Sequence, residues 1–193
     1  MPPRAGTIMT GGYRMLDFER LEALASEVGF THVAPLDAAT IVLRDEVRDM
    51  CVANTCGAYG KNWSCPPACG ELPALREQVG RYRAGILVQT VGEVEDSLDF
   101  EGMMEAEAEH KRHFAELHEK LLEQWPNLLA LGAGTCTRCA KCTYPDAPCR
   151  FPDKRVSSME AYGMLVVDTC KANGMEYYYG PQAIAYTSCF LLE

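Results

Sequence analysis

Four cysteines lie within fourteen residues in the second half of the chain, in the stretch CTRCAKCTYPDAPC. Cys136, Cys139 and Cys142 occupy every third position, and Cys149 follows after six intervening residues; we call these four the second cysteine group. A C-x2-C-x2-C run can wrap three thiolates around an iron–sulfur cubane and is typical of ferredoxin-type sites. Those sites continue as C-x3-C-P, so the late fourth cysteine departs from the pattern. We predict one [4Fe–4S] cluster here.

Two other uses of clustered thiols compete with an iron–sulfur cluster. Structural zinc usually takes two C-x2-C hooks from separate parts of a chain. Three cysteines at every third position suit that arrangement poorly. The middle cysteine can form a C-x2-C hook with only one of its two neighbours, and the other neighbour is left without a metal to bind. Disulfides persist mainly in oxidising compartments, and this sequence shows no secretion signal. We therefore rank iron–sulfur first, zinc second and a disulfide framework third.

A second set of thiols, which we call the first cysteine group, lies in CVANTCGAYGKNWSCPPAC. Its members are Cys51, Cys56, Cys65 and Cys69, separated by four, eight and three residues. This spacing matches no common zinc hook and predicts a second cluster less sharply than the other group does. If Cys69 is a ligand, the site is closed and the chain is typical of a two-cluster electron carrier. If Cys69 is not a ligand, one metal position stays open, which is the mark of a catalytic site.

Two basic residues stand beside these cysteines in the sequence. Lys61 lies inside the first cysteine group, and Arg150 directly follows Cys149. A positive charge near a thiolate-ligated cluster offsets its negative charge and raises its reduction potential. We interpret both as charges that tune a cluster; for Lys61 the alternative is a solvated surface lysine.

The remaining cysteines and histidines are better explained by the core than by chemistry. Cys170 falls among apolar residues in a predicted helix, and Cys189 lies in the last predicted strand, so both are expected to be buried thiols. His110 lies on the apolar stripe of a long helix and is expected to be a hydrogen-bonded core residue or a histidine next to a cluster. His113 and His118 lie off that stripe, and we expect them at the surface.

Composition excludes several classes of function. The formal net charge of the 193 residues is −9, which disfavours binding to nucleic acid or to an anionic membrane surface. No apolar run approaches the roughly 20 residues that span a bilayer. The sequence contains no glycine-rich phosphate loop and no dinucleotide fingerprint. We expect a cytoplasmic protein whose cysteines stay reduced for metal binding or catalysis.

Helical and strand patterns alternate through the second half of the chain, which predicts an α/β fold with a compact, layered mixed sheet and two cysteine-rich metal-binding loops. We expect a polar lead over residues 1–15 and a single domain over residues 16–193. Periodicity predicts helices near residues 16–28, 72–82, 98–124 and 157–174, the last with a capping box from Ser157 to Glu160. Strands are predicted near residues 31–34, 40–43, 84–91, 127–134, 175–180 and 183–192.

The stretches RDMCVANTCGAYGKNWSCPP and LGAGTCTRCAKCTYPDAPCRFPDKRVSSMEAYGM resemble an uncharacterised family described as predicted metal-binding proteins (domain of unknown function 2284). The resemblance extends from about the first helix to the final strands. It implies metal binding through the residues at Cys51, Cys56 and Cys65 and through all four of the second cysteine group. It does not imply a ligand at Cys69, and it supplies no reaction.

Together these patterns predict an iron–sulfur protein, with one or two [4Fe–4S] clusters, that acts in electron transfer or in the reductive activation of a substrate. Its partner is expected to be a redox protein or a small molecule. The alternative is a zinc-binding structural or adaptor protein without redox activity.

Overall fold

The computed structural model describes residues 16–192, so the predicted lead over residues 1–15 lies outside the described part of the chain. The described residues form five α-helices and five strands, with three short 3-10 helices at Ala38–Thr40, Pro152–Lys154 and Glu160–Tyr162. In chain order these are α1 Phe18–Val28, β1 His32–Asp37, α2 Asp45–Ala53, α3 Leu72–Val79, β2 Ala84–Glu93, α4 Phe100–Leu122, β3 Leu129–Gly132, β4 Ser157–Ser158, α5 Val166–Ala172 and β5 Ala183–Leu191.

The five strands form one sheet in the order β1-β2-β5-β3-β4. The pairs β1–β2, β2–β5 and β3–β5 are antiparallel, whereas β3 and β4 run parallel. The sheet is therefore mixed, and the predicted α/β class is confirmed. The short β4 pairs only with Leu131 and Gly132 of β3, so this edge of the sheet is incomplete.

Apolar side chains cover both faces of the sheet, because successive residues of a strand point to opposite sides. On β2, Ile86 and Val88 pack with α1 and α4, and Leu87 packs on the other face with α3 and α5. All three are fully buried. The result is a three-layer arrangement that fixes the ends of α2, α3 and β3, from which the cysteine loops emerge.

The predicted first helix is confirmed, and its ends follow from local chemistry. The Asp17 side chain accepts a hydrogen bond from the backbone N–H of Arg20 at 3.1 Å. Gly29 closes the helix with φ +120°, and a Cβ there would fall within 2.7 Å of the His113 ring. Gly29 is therefore required both by its backbone angle and by the close approach of α4.

The single helix predicted over residues 157–174 is wrong. The segment contains β4, the 3-10 helix Glu160–Tyr162 and α5. Gly163 adopts φ +83°, and a Cβ on it would meet the Arg44 carbonyl oxygen at 2.9 Å, so the chain turns where the pattern suggested continuity. The predicted capping box is also absent: Ser158, not Ser157, caps the turn by accepting from the Ala161 N–H at 3.0 Å.

Two predicted strands are wrong as well. Residues 40–43 lie at the end of a 3-10 helix and contribute only an isolated bridge between Leu43 and Met164. Residues 175–180 form no strand. There Met175 is buried in the core, and the Tyr179 hydroxyl donates to Gln89 Oε1 at 2.7 Å. Side-chain contacts therefore hold this segment in place of the backbone hydrogen bonds of a strand.

No helix between residues 16 and 192 is both long enough and apolar enough to cross a membrane.

Candidate metal centre

The first cysteine group begins in a helix and continues in a loop. Cys51 lies in the last turn of α2, a helix that the sequence did not predict, and Cys56, Cys65 and Cys69 follow before α3 begins. Asn54 ends α2 in the left-handed region with φ 56°, which turns the chain back on itself. Exposure of the thiols is graded: Cys56 is exposed, Cys51 is half-buried, and Cys65 and Cys69 are buried.

The thiols of this group are close enough to affect one another's pKa. Burial raises the pKa of Cys51; the Arg48 charge opposes that effect, while the neighbouring thiols of Cys56 and Cys65 add to it. Burial also raises the pKa of Cys65; hydrogen bonds from Asn62 and Ser64 oppose that effect, while Cys56 and Cys69 add to it. These thiols thus influence one another's ionisation, although 17 residues lie between the first and the last in sequence.

Arg48 on α2 connects this group to the rest of the fold. Its Nη1 donates to Cys69 Sγ at 3.3 Å and to the Ala161 carbonyl at 2.6 Å. Its Nη2 donates to the Gly70 carbonyl at 3.0 Å. Burial raises the pKa of Cys69, and the Arg48 charge lowers it, so the guanidinium favours the thiolate form.

The turn that contains Glu160–Tyr162 lies against the same sulfurs. Cys51 Sγ is 3.9 Å from the Glu160 carbonyl oxygen, and Cys69 Sγ is 3.8 Å from the Ala161 carbonyl oxygen. The turn therefore forms one wall of the first cysteine group.

The second cysteine group lies in the loop that follows β3, as the sequence predicts. Its four thiols are all half-buried. They line one cavity together with Trp63, Ser64 and three arginines, Arg138, Arg150 and Arg155, and no acidic residue lines it.

Hydrogen bonds within this loop define its shape. The Thr143 hydroxyl donates to the Pro148 carbonyl at 2.8 Å, and the Ala147 N–H donates to the Thr143 carbonyl at 3.0 Å. Arg150 Nη1 donates to the Lys141 carbonyl at 2.8 Å. Arg150 therefore both spans the loop and brings a positive charge to the cavity that the four thiols line.

The loops that carry the two cysteine groups are in direct contact, which the sequence did not indicate. The backbone N–H of Cys136 donates to Ser64 Oγ at 3.3 Å, so the neighbour of Cys65 touches the first residue of the other group. The Trp63 indole N–H donates to the Ala147 carbonyl at 3.0 Å. Its ring also packs edge-on against Tyr144, with centroids 5.0 Å apart.

Sequence reasoning selected Lys61 and Arg150 as the charges near the cysteines. Lys61 is exposed in the first loop, with its amine near the Cys56–Gly57 segment. The reasoning missed Arg48 and Arg155. Arg48 stands three residues before Cys51 on a helix, a spacing that places both on one face, so recognition of α2 would have revealed it.

Of the remaining thiols and histidines, Cys170, Cys189 and His110 are buried as expected. Burial raises the pKa of Cys170 to about 11 and that of Cys189 to about 12. His110 is hydrogen-bonded on both ring nitrogens, to Thr90 Oγ1 at 3.0 Å and to Ser188 Oγ at 2.7 Å.

The expectation that His113 and His118 lie at the surface is wrong, since each is only 3% exposed. His113 packs against Phe30, and His118 packs against Phe114 and Phe190. Helix α4 is covered by α1 on one side and by the segment after β3 on another. Residues outside its apolar stripe, including these two histidines, are therefore buried as well.

The donor set has the chemistry of a thiophilic metal centre. All ten cysteines are free, so a disulfide framework is not what the structure contains. Within residues 16–192, no group of three or more Cys, His, Asp or Glu side chains is arranged so that it could hold a metal ion. As a donor set, eight thiols, with arginines and no carboxylates at the second cavity, nevertheless fit soft metals such as iron in clusters or zinc better than magnesium or calcium.

Comparison with known proteins agrees with this chemistry. The sequence profile of the family described as "Predicted metal-binding protein (DUF2284)" matches residues 34–192. The match starts within β1, so α1 precedes it. Neither the curated proteins nor the solved structures give a match to the chain. Because the matched range covers most of the sequence and contains both cysteine groups, the chain belongs to this family of predicted metal-binding proteins.

Proposed function

We propose that the protein is an iron–sulfur protein that binds two [4Fe–4S] clusters, one through each cysteine group. When bound, such clusters accept and release single electrons. Cys136, Cys139, Cys142 and Cys149 would hold one, and Cys51, Cys56 and Cys65 would hold the other. The protein would act in electron transfer or as an oxidoreductase that reduces a substrate.

The observation that carries this proposal is the contact between the loops of the two groups. Ser64 and Trp63 join the loop of the first group to the loop of the second through hydrogen bonds of 3.3 and 3.0 Å. Electron tunnelling falls steeply with distance, so two redox centres that exchange electrons need to be neighbours. Two independent zinc staples have no such requirement.

The charges around the thiols also support the proposal. A cluster held by thiolates is anionic, and its reduction potential depends on nearby charge and on hydrogen bonds to sulfur. Arg48 donates to Cys69 Sγ at 3.3 Å, and Arg138, Arg150 and Arg155 line the cavity of the second group. These cations would offset negative charge and favour the reduced state.

Cys69 is assigned to a supporting role in this proposal. Apart from burial, Arg48 has the strongest influence on the pKa of both Cys51 and Cys69, but of these two thiols only Cys69 accepts a hydrogen bond from it, at 3.3 Å. A first group with three ligands leaves one metal position for a substrate, which favours an oxidoreductase over a pure electron carrier.

Metal and sulfide analysis of anaerobically purified protein, with electron paramagnetic resonance after reduction, tests the proposal. We expect about eight irons and about eight sulfides per chain and a brown colour, as two cubanes require. About four irons with about one zinc would restrict the redox role to one group. Colourless protein with about two zinc ions and no sulfide would contradict the proposal and support a structural role.

We also propose a cytoplasmic location, since a reducing compartment keeps thiols available to a metal. The ten free cysteines support it.

A further inference from the structure

A polar cavity of about 150 Å³ lies beside the incomplete edge of the sheet, and none of the eight grouped cysteines lines it. Strand β4 pairs only with Leu131 and Gly132, so Leu129 and Ala130 have no strand on that side within the described residues. The polar side chains that line the cavity include His118, Arg155, Ser157 and Tyr162.

His118 presents an N–H to this cavity. Arg138 Nη2 lies 3.3 Å from His118 Nδ1, and because arginine can only donate, Nδ1 accepts and the ring proton lies on Nε2. Burial lowers the pKa of His118 to about 4, so the ring is neutral at pH 7. The side chain is 3% exposed, and its Nε2–H has no hydrogen-bond acceptor among residues 16–192.

Ser157 and Arg155 add two more donors. Ser157 is 5% exposed, and its hydroxyl has no partner in the described part of the chain. Arg155 is exposed, and its guanidinium makes no ion pair or hydrogen bond within the same residues. Its charge nevertheless lowers the pKa of Tyr162, which burial raises to about 12, so the guanidinium lies near this wall of the cavity.

The other polar groups do not cancel these donors. The Tyr162 hydroxyl donates to Gln78 Oε1 at 2.9 Å, which leaves the Gln78 amide N–H groups as further donors. Asp153 is the one carboxylate that lines the cavity, and it is exposed. The nearby Glu119 is already neutralised by Arg138 at 2.9 Å and Lys154 at 2.6 Å.

We propose that this cavity binds a small oxyanion, a carboxylate or a phosphate, through Arg155, His118 Nε2–H and the Ser157 hydroxyl. One cation and two buried neutral donors match the charge and the several acceptor positions of such a group. The volume equals about five waters at ~30 Å³ each, so the ligand has only a few non-hydrogen atoms.

The inference goes beyond the metal proposal, because it stands on residues outside both cysteine groups. Arg155 also lines the cavity of the second cysteine group, so the bound oxyanion and those thiols would flank one guanidinium. An anionic substrate or regulator would therefore bind next to the second cysteine group and share the Arg155 charge with it.

Calorimetric titration of the full-length, anaerobically purified protein with sodium acetate, and separately with sodium phosphate, tests the proposal. We expect saturable binding of at least one anion, with a Kd on the order of 1 mM or tighter. Arg155→Gln should weaken binding by about tenfold or more, as loss of a charge-assisted hydrogen bond implies, and Ser157→Ala by about threefold or more. Arg81→Gln is the matched control, because Arg81 pairs with Glu77 at 2.8 Å and does not line the cavity.

Binding of acetate alone identifies a carboxylate ligand, binding of phosphate alone identifies a phosphate ligand, and binding of both identifies a general oxyanion site. Binding of neither anion would overturn the proposal, and so would affinity that either Arg155→Gln or Ser157→Ala leaves unchanged. Metal content and circular dichroism of each variant are measured in parallel. Because calorimetry detects the anion whether or not iron is present, failure of the metal proposal and failure of this one are separate results.

Discussion

The two cysteine groups are built in different ways. The second group lies in one loop of fourteen residues whose shape comes from its own hydrogen bonds, and its four thiols are equally half-buried. The first group is assembled from the end of α2, a long loop and the distant Glu160–Tyr162 turn, and its thiols range from exposed to buried. Four thiols of similar exposure in one loop suit a closed metal site. Thiols that come from several elements and range from exposed to buried suit a site with one face accessible to a substrate.

The largest effect is expected from Cys139→Ser, which removes the central thiol of the self-contained loop. We expect loss of about half of the bound metal, because one of two centres loses a ligand. The free energy of unfolding should fall by several kcal/mol, since the free energy of metal binding contributes to folding. Metal analysis and chemical denaturation under anaerobic conditions measure both.

Cys170→Ala is the matched control for that variant, because Cys170 is fully buried in the core and belongs to neither group. It should destabilise the fold without changing metal content. If Cys139→Ser kept its full metal content, Cys139 would not be a ligand, and the comparison between a closed and an open group would fail.

The next largest effect is expected from Arg48→Leu, which removes the donor to Cys69 Sγ and to the Ala161 and Gly70 carbonyls. Leaving buried acceptors unpaired costs about 1–3 kcal/mol each, so the free energy of unfolding should fall by about 2–4 kcal/mol. Metal should be lost from the first group and retained in the second, giving at most half of the total. Denaturant titration and metal analysis test this.

Arg48→Lys retains a charge but not the fork of donors, and it should recover only part of the loss. Arg81→Leu removes an exposed ion pair and should change stability by less than about 1 kcal/mol. Equal metal loss from both groups in Arg48→Leu would mean that the two groups depend on each other rather than on separate supports.

A smaller effect is expected from acid, and it should act on the second group first. His118 accepts from Arg138 in that loop, and burial lowers its pKa to about 4 from an ordinary value near 6.5. The unfolded chain binds the proton more readily, so this contribution is complete above about pH 6.5 and is lost as the pH falls toward 4. The shift corresponds to a loss on the order of 3 kcal/mol.

Unfolding by urea at pH values from 7 to 4.5 measures this loss, and His118→Gln is the informative comparison. The glutamine variant is less stable at neutral pH but should show a shallower pH dependence, because it cannot be protonated. An unchanged dependence would place the acid sensitivity elsewhere, with His110 and His113 as the other buried titrating groups of α4. Burial lowers the pKa of both, that of His110 to about 3.

The second cysteine group, which is built from one loop, was easier to predict from the sequence than the first, which is assembled from distant segments. The spacing of the second cysteine group is local, so its loop after β3 was predictable from the residues themselves. The first group depends on Arg48, whose contact with Ala161 spans 113 residues, and no local pattern encodes such a contact. The α/β class was predictable because buried strands have continuous apolar runs, as in β2 and β5.

The wrong predictions have tertiary causes. The helix predicted over residues 157–174 is broken at Gly163, where the chain must pass close to the Arg44 backbone. His118 lies off the apolar stripe of α4, yet the segment after β3 covers it, and its donors become part of the polar cavity. Arg155 was overlooked because its importance comes from two cavities that meet around it and not from any neighbour in sequence.

The smallest change in metal content is expected from Cys69→Ser, and this variant tests the comparison most sharply. Cys69 is buried and hydrogen-bonded by Arg48 at 3.3 Å, and a serine hydroxyl can accept the same bond. If the first group has three ligands, iron content should remain within about a tenth of the wild-type value, because none of the metal's bonds is lost. The reduction potential should shift, since a hydrogen-bonded sulfur near the centre is replaced. Loss of about four irons would instead make Cys69 the fourth ligand. The two groups would then both be closed, and the protein would be an electron carrier whose first group differs from the second in construction alone.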